Sequence, residues 1–187
     1  MANELTADYG PLELLFGTWK GDKGEDFAPE PDEDATSPYY ETITIERAGD
    51  VDNADEQVLA IARYHISVRR KKNDETFHDQ VGYWLWDKEN GIIMNSFTIP
   101  RGLCVLAGGK FDANKANNSR ITFNVKAKPG EEWGFVQSPF MTEKAKTLEF
   151  NQKLIVSKDT LSYTQTTVLD IYGRNFDHTD FNTLKRV

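Results

Sequence analysis

The fold class predicted from this sequence is all-β: a closed, antiparallel up-and-down barrel of about ten strands, with a short N-terminal helical turn. Three observations predict it. Runs rich in Val, Ile, Thr, Tyr and Phe follow one another along most of the chain. The joints between them are short and carry turn formers, so successive strands should lie antiparallel. No strand-helix-strand alternation appears, which disfavours the parallel sheets of Rossmann or TIM architectures.

Pro11 to Phe16 (PLELLF) reads as one helical turn, because Pro suits a first turn and Gly17 suits a stop; its shortness suits a plug. Gly17-Thr18-Trp19-Lys20-Gly21 then opens the first strand. Its indole is large enough to close the base of a small barrel, and its glycines permit a tight bend. Gly24 to Ser37 (GEDFAPEPDEDATS) is too polar and proline-rich to pack, and is expected to be a mobile loop at one mouth. Strands are expected over Tyr39 to Arg47, Gln57 to Arg69, Phe77 to Trp86, Gly91 to Ile99 and Leu103 to Phe111. Further strands should cover Arg120 to Ala127, Lys146 to Val156, Leu161 to Ile171 and the alternating C-terminal stretch. Turns fall at Lys88 to Gly91, Asp112 to Ser119, Lys128-Pro129-Gly130 and Ser157-Lys158-Asp159. Closure would remove the exposed edges that invite aggregation, and a barrel of this size can enclose a ligand, as lipocalin-like and other calycin-like folds do.

Composition narrows the partners. The 187 residues, 39% hydrophobic and 12% aromatic, suit a single domain over 1-187 with a substantial core. A net charge of -8 argues against nucleic acid, which needs clustered Lys and Arg. The basic cluster Arg69-Arg70-Lys71-Lys72 precedes Asn73-Asp74 and reads as a solvated hairpin tip. MANELTADYG lacks a basic segment followed by an apolar one, and no window approaches the roughly 20 apolar residues of a membrane helix. A soluble, cytoplasmic protein with no membrane partner is expected. Cys104, the one cysteine, cannot form an internal disulfide and reads as a small apolar residue within a strand.

Strand parity decides which side chains can share an interior. His78 shares its face with Gln80, Gly82, Trp84 and Trp86, opposite Phe77, Asp79, Val81, Tyr83 and Leu85. If the tryptophan face is inside, His78 lines an aromatic cavity; otherwise it sits at the rim. His65 opposes Ala60, Ala62, Tyr64 and Ile66, so the outer surface is expected for it. The three histidines are too widely spaced for a zinc signature, and no nucleophile elbow or phosphate-binding glycine loop is present.

Four segments, GTWKGDKG, FHDQVGYW, IPRGLCVLAGG and HTDFNTLKRV, occur in an order and spacing that resembles the nitrobindin-type haem-binding β-barrels. These are the fatty-acid-binding-protein-like domains also found at the C-terminus of a THAP-domain protein. The resemblance runs from Pro11 to Val187. Of the family's Gly-x-Trp-x-Gly-x-Gly pattern, Gly17, Trp19 and Gly21 match, while Lys23 stands at the last glycine's position and Gly24 follows. Phe77, His78, Asp79, Gln80, Gly82 and Tyr83 match a second segment, which implies that His78 lies on the distal side of a haem. The family's proximal iron ligand is a histidine of the last strand. An ungapped alignment on Leu184 to Val187 puts Thr179 at that position, with His178 one residue away. A one-residue shift turns a strand side chain to the opposite face, and a bulge near Asp177 would restore the aim of His178. A ligating imidazole commonly donates its other ring N–H to a carboxylate or carbonyl, and Asp177 and Asp180 are at hand. Lys144 resembles a family lysine near the barrel mouth suited to a haem propionate; a plain surface lysine is the alternative.

The resemblance implies haem b held by His178, with His78 and Lys144 in the cofactor site, and an iron that meets nitric oxide and isomerises peroxynitrite. A competing expectation is a non-enzymatic intracellular carrier of a small hydrophobic molecule, without haem. A third is an interior filled by Trp84, Trp86 and phenylalanines, leaving a structural or partner-binding role.

Overall fold

The computed structural model describes residues 7–29, 34–113 and 119–187. A 3-10 helix, Gly10–Leu15, precedes β1 (Gly17–Pro29), β2 (Asp34–Asn53), β3 (Gln57–Arg70), β4 (Thr76–Asp87), β5 (Ile92–Ile99) and β6 (Leu103–Lys110). There follow β7 (Arg120–Ala127), β8 (Gly134–Gln137), the helix α1 (Pro139–Lys144), β9 (Ala145–Ser157), β10 (Thr160–Ile171) and β11 (Arg174–Arg186). The strands form one sheet in the order β5-β4-β3-β2-β1-β11-β10-β9-β7-β6-β8, and β5 also pairs with β6. That last pairing closes an antiparallel barrel of ten strands, with β8 laid along β6 as an extra strand.

Period-two alternation carries the core. On β7, Ile121, Phe123, Val125 and Ala127 are buried and their neighbours face out, and on β2 the buried set is Tyr39, Glu41, Ile43 and Ile45. On β4 the tryptophan face is the inner one, with Gln80, Trp84 and Trp86 each 3% exposed. One end of the barrel is plugged. Leu12 and Leu15 of the 3-10 helix and Trp19 of β1 are fully buried there, and the Trp19 indole donates to Leu15 O at 2.8 Å. The expected helical turn is thus present, begun one residue earlier.

Two segments depart from expectation. Residues 24–29 and 34–37, expected to be loop, are strand. They pair from Gly24↔Tyr39 to Pro29↔Asp34 as a long arm of the β1–β2 hairpin, while residues 30–33 lie outside the described set. A backbone ladder needs N–H and C=O groups rather than apolar side chains, so polarity did not exclude it. Between β7 and β9, where only a turn was expected, the chain inserts β8 and α1. β7 meets β6 at a single pair, Gly108↔Lys126, whereas β8 covers Leu103 to Leu106. Gln137 then bridges to β9: its amide donates to Thr147 O at 3.1 Å and accepts from Thr147 N at 2.9 Å, a side-chain stand-in for a ladder rung. The start of α1 was readable, since Ser138 caps it by accepting from Met141 N at 3.3 Å and Pro139 follows.

Candidate functional site: the inner chamber at the open mouth

Opposite the plug, side chains that face inward are only partly buried: Ile66, His78, Ile99, Thr167, Leu169 and His178. Inward-facing groups that keep exposure line open space. The plug half of the interior is filled by Trp84, Trp86 and phenylalanines, and Trp84 packs on Phe123 there with ring centroids 5.5 Å apart.

The direction of His178 follows from register. β10 and β11 pair without a shift from Thr160↔Lys185 to Ile171↔Arg174, so the stretch Val168↔Asp177, Thr167↔His178, Thr166↔Thr179 is regular. Alternation puts His178 on the inner face with Phe176, Asp180, Asn182 and Leu184. Thr179 faces the other way, its hydroxyl 3.2 Å from that of Thr166. No bulge at Asp177 is needed. A separate irregularity sits in β1, where pairing slips by one residue between Gly21 and Gly24 against β2, and between Lys20 and Glu25 against β11. The same insertion moves the last glycine of the N-terminal pattern to position 24. There a side chain would collide with the Tyr39 ring, 2.0 Å from where a Cβ would stand.

His178 has the Asp180 carboxylate 3.7 Å from its Nε2. His78 is on the inner face of β4, its Nε2 3.2 Å from Gln80 Oε1. β3, β2 and β1 separate the two strands on one side, and β5, β6, β7, β9 and β10 on the other, so the two imidazoles approach from nearly opposite walls. Lys144 ends α1 beside the mouth end of β9, largely exposed and paired with Glu143 at 2.8 Å. His65 is on the outer face, 2.8 Å from Asp79. Cys104 also faces outward and is exposed, so it is no core residue; its thiol donates to Thr98 Oγ1 at 3.4 Å.

Two polar groupings inside the barrel were missed in the sequence. Glu41 is 2% exposed and accepts from Asn182 Nδ2 at 2.7 Å and Tyr163 Oη at 3.0 Å; Tyr163 in turn lies 3.0 Å from Tyr39 Oη. Burial pushes the Glu41 carboxyl up to about 7 despite those two donors, and the nearby Asp180 adds to the rise. Burial, with Glu41 alongside, also holds the Tyr163 phenol well above its ordinary range. The second grouping is a chain of amides and one phenol, Gln80, Tyr64, Asn95, Gln152 and Gln165, crossing the barrel beneath the chamber. The signal was parity: Glu41 shares a face with Tyr39, Ile43 and Ile45, and Asn95 with Ile93 and Phe97.

A haem needs an apolar slot, an axial nitrogen and a polar edge for its propionates. The chamber supplies Ile66, Phe97, Phe150 and Leu169 as apolar wall, two imidazoles, and an open rim. The Asp180 carboxylate, 3.7 Å from His178 Nε2, is close enough to attract the ring electrostatically but lies beyond hydrogen-bond length. Among the described residues, no group of three or more His, Cys, Asp or Glu is placed to hold a bare metal ion. Imidazoles on opposite walls, with no cluster of further ligands among the described residues, suit a metal that brings its own equatorial ligands. The residues present fit the group. Two grooves, of about 580 and 790 Å³, lie around Tyr83 and Trp133 and are lined mainly by outward-facing residues.

Fold and chamber together define a calycin-like barrel built to hold a small molecule at one mouth. The family follows from comparison: residues 8–186 match the model of the THAP4-like, heme-binding beta-barrel domain, and the chain belongs to that family. The crystal structure of Rv2717c from M. tuberculosis is similar in fold, with a TM-score of 0.72 at 16% identity over 100% of this chain and 99% of that one. No curated protein matches the sequence. Among the described residues, no helix is long and apolar enough to cross a membrane.

Proposed function

We propose that this barrel binds haem b in the mouth chamber through His178 and that the bound iron meets nitric oxide and peroxynitrite, isomerising the latter, in a cytoplasmic protein. The observation that carries the reading is the inward aim of His178 on an unbulged strand, in a chain whose family is haem-binding. When bound, haem supplies an iron with a coordination position for a small ligand. The chain supplies the rest. His178 would hold the group from β11, with the Asp180 carboxylate 3.7 Å from its Nε2, and Phe97, Phe150 and Leu169 would supply apolar wall around it. His78 lines the opposite wall, and Lys144, at the end of α1 and paired with Glu143, is the candidate propionate partner.

Hemin titrated into haem-free protein is expected to give a shifted Soret band. His178→Ala should weaken uptake by at least about tenfold, since loss of an outer partner of a metal ligand alone costs that much. A titration without a Soret shift, or a His178→Ala variant that matches the parent, sinks the haem reading. Native mass spectrometry then separates the remaining case, since a lipid-like mass in protein taken straight from cells would mark a carrier.

A further inference from the structure

The hydrogen bonds under the chamber run in one direction. His78 Nε2 is 3.2 Å from Gln80 Oε1, and Gln80 Nε2 donates to Tyr64 Oη at 2.7 Å. Tyr64 Oη donates to Asn95 Oδ1 at 2.9 Å, Asn95 Nδ2 to Gln152 Oε1 at 3.0 Å, and Gln152 Nε2 to Gln165 Oε1 at 3.2 Å. Each link uses the donor of one side chain and the acceptor of the next, so the polarity of one fixes that of all. The reversed chain has the same heavy-atom positions and would make His78 Nε2 an acceptor. The donors run in the order Gln80 to Tyr64, Tyr64 to Asn95, Asn95 to Gln152 and Gln152 to Gln165, which leaves Gln80 Oε1 as the acceptor facing His78 Nε2. Tyr64 stays a neutral donor, since full burial holds its phenol far above the ordinary range. Gln80 and Asn95, 3% and 1% exposed, have little freedom to turn over.

We propose that Gln80, oriented through Tyr64 and Asn95, is a positioning residue that keeps the ring proton of His78 on Nε2 and commits it to the barrel floor. Resting on the haem reading, this makes His78 a poor hydrogen-bond donor to a ligand in the chamber. The pocket then disfavours anions that need such a donor relative to uncharged diatomic ligands, and peroxynitrite, itself an anion, would be met without a hydrogen bond from His78.

The first test uses haem-free protein. Nitrogen-15 correlation spectra of the imidazoles report which ring nitrogen carries the proton. The parent is expected to show His78 as the Nε2–H tautomer, and Gln80→Leu to lower the ratio of Nε2–H to Nδ1–H by about fivefold, the worth of one net neutral hydrogen bond. Tyr64→Phe, which leaves His78 and Gln80 in place and is nearly isosteric, should move the ratio in the same direction. A proton on Nδ1 in the parent, or a ratio that neither variant changes, overturns the proposal. The second test uses fluoride, a small anionic acceptor, on hemin-loaded protein. Its affinity should rise by about fivefold in Gln80→Leu as the ring N–H of His78 is no longer committed to the floor; an unchanged affinity overturns the selectivity half. The tautomer is read without haem, so a protein that takes up no hemin contradicts the functional reading while the role of Gln80 is still decided.

Discussion

Replacing Glu41 by glutamine is expected to raise the stability of the protein above neutral pH and to flatten its pH dependence. Glu41 stands on the inner face of β2 with Tyr163 and Asn182 donating to one carboxylate oxygen. Desolvation is the largest influence on it and favours the neutral acid; the two donors oppose that and the charge of Asp180 reinforces it. The folded carboxyl is raised from 4.5 to about 7, so the folded chain holds a proton that the unfolded chain has released. The resulting stabilisation is fully present below pH 4.5 and is lost as pH rises through about 7. At about 1.4 kcal/mol per pKa unit, the loss is about 3 kcal/mol, a large part of the ordinary stability of a domain. Glutamine keeps an oxygen acceptor for both donors and cannot ionise. Urea unfolding measured across this pH range should show the parent weakening with rising pH relative to Glu41→Gln, with the variant the more stable at the alkaline end. Parallel stability curves would mean that Glu41 is ionised throughout and that its donors outweigh burial.

The strands were legible because their inner faces are apolar and their turns carry Gly, Asn and Asp. β7 is the clearest case, alternating without exception from Ile121 to Ala127. The β1–β2 arm was not legible, because its stability as strand comes from pairing along the hairpin and its composition argues for loop. β8 is four residues long, too short for a period to register, and its place depends on β6 and on the Gln137 bridge to β9. The direction of His178 was a question that sequence could frame but not answer. Counting back from Leu184 does give the inner face, since both are even-numbered on a strand whose pairing with β10 is unbroken, whereas the ungapped comparison with the family pattern pointed to Thr179, which faces the other way. The slip in β1 is a separate irregularity, and its trace in the sequence was the displaced Gly24. The floor chain was hidden for another reason. Gln80, Asn95, Gln152 and Gln165 lie on different strands, and only the closed barrel brings their amides together.

The division into a filled half and an open half makes Trp19→Ala the most damaging single substitution expected here, and one whose damage is confined to stability. Trp19 is fully buried against the plug, and its indole N–H donates to Leu15 O at 2.8 Å. The Arg186 guanidinium lies over its ring, 3.9 Å from the centroid, while donating to Phe16 O and, at 2.8 Å, to Leu14 O. One side chain therefore joins the 3-10 helix to the first and last strands, where β1 pairs with β11. Removing it deletes a large apolar surface, a buried hydrogen bond and the platform of a cation, with a backbone carbonyl left unpaired. Truncations of this size cost about 3–5 kcal/mol. Trp19→Phe keeps an aromatic ring beneath Arg186 but loses the N–H, and should cost less, about 1–3 kcal/mol, chiefly for the unsatisfied carbonyl of Leu15. Urea unfolding of the three proteins gives both differences. Because His178 and His78 stand on the mouth side of the floor, hemin uptake by Trp19→Phe under conditions where it is folded should match the parent. Equal stability in Trp19→Ala and the parent would show that Trp19 does not brace the plug. A loss of hemin uptake in a folded Trp19→Phe would show that the chamber depends on the plug and that the two halves are not independent.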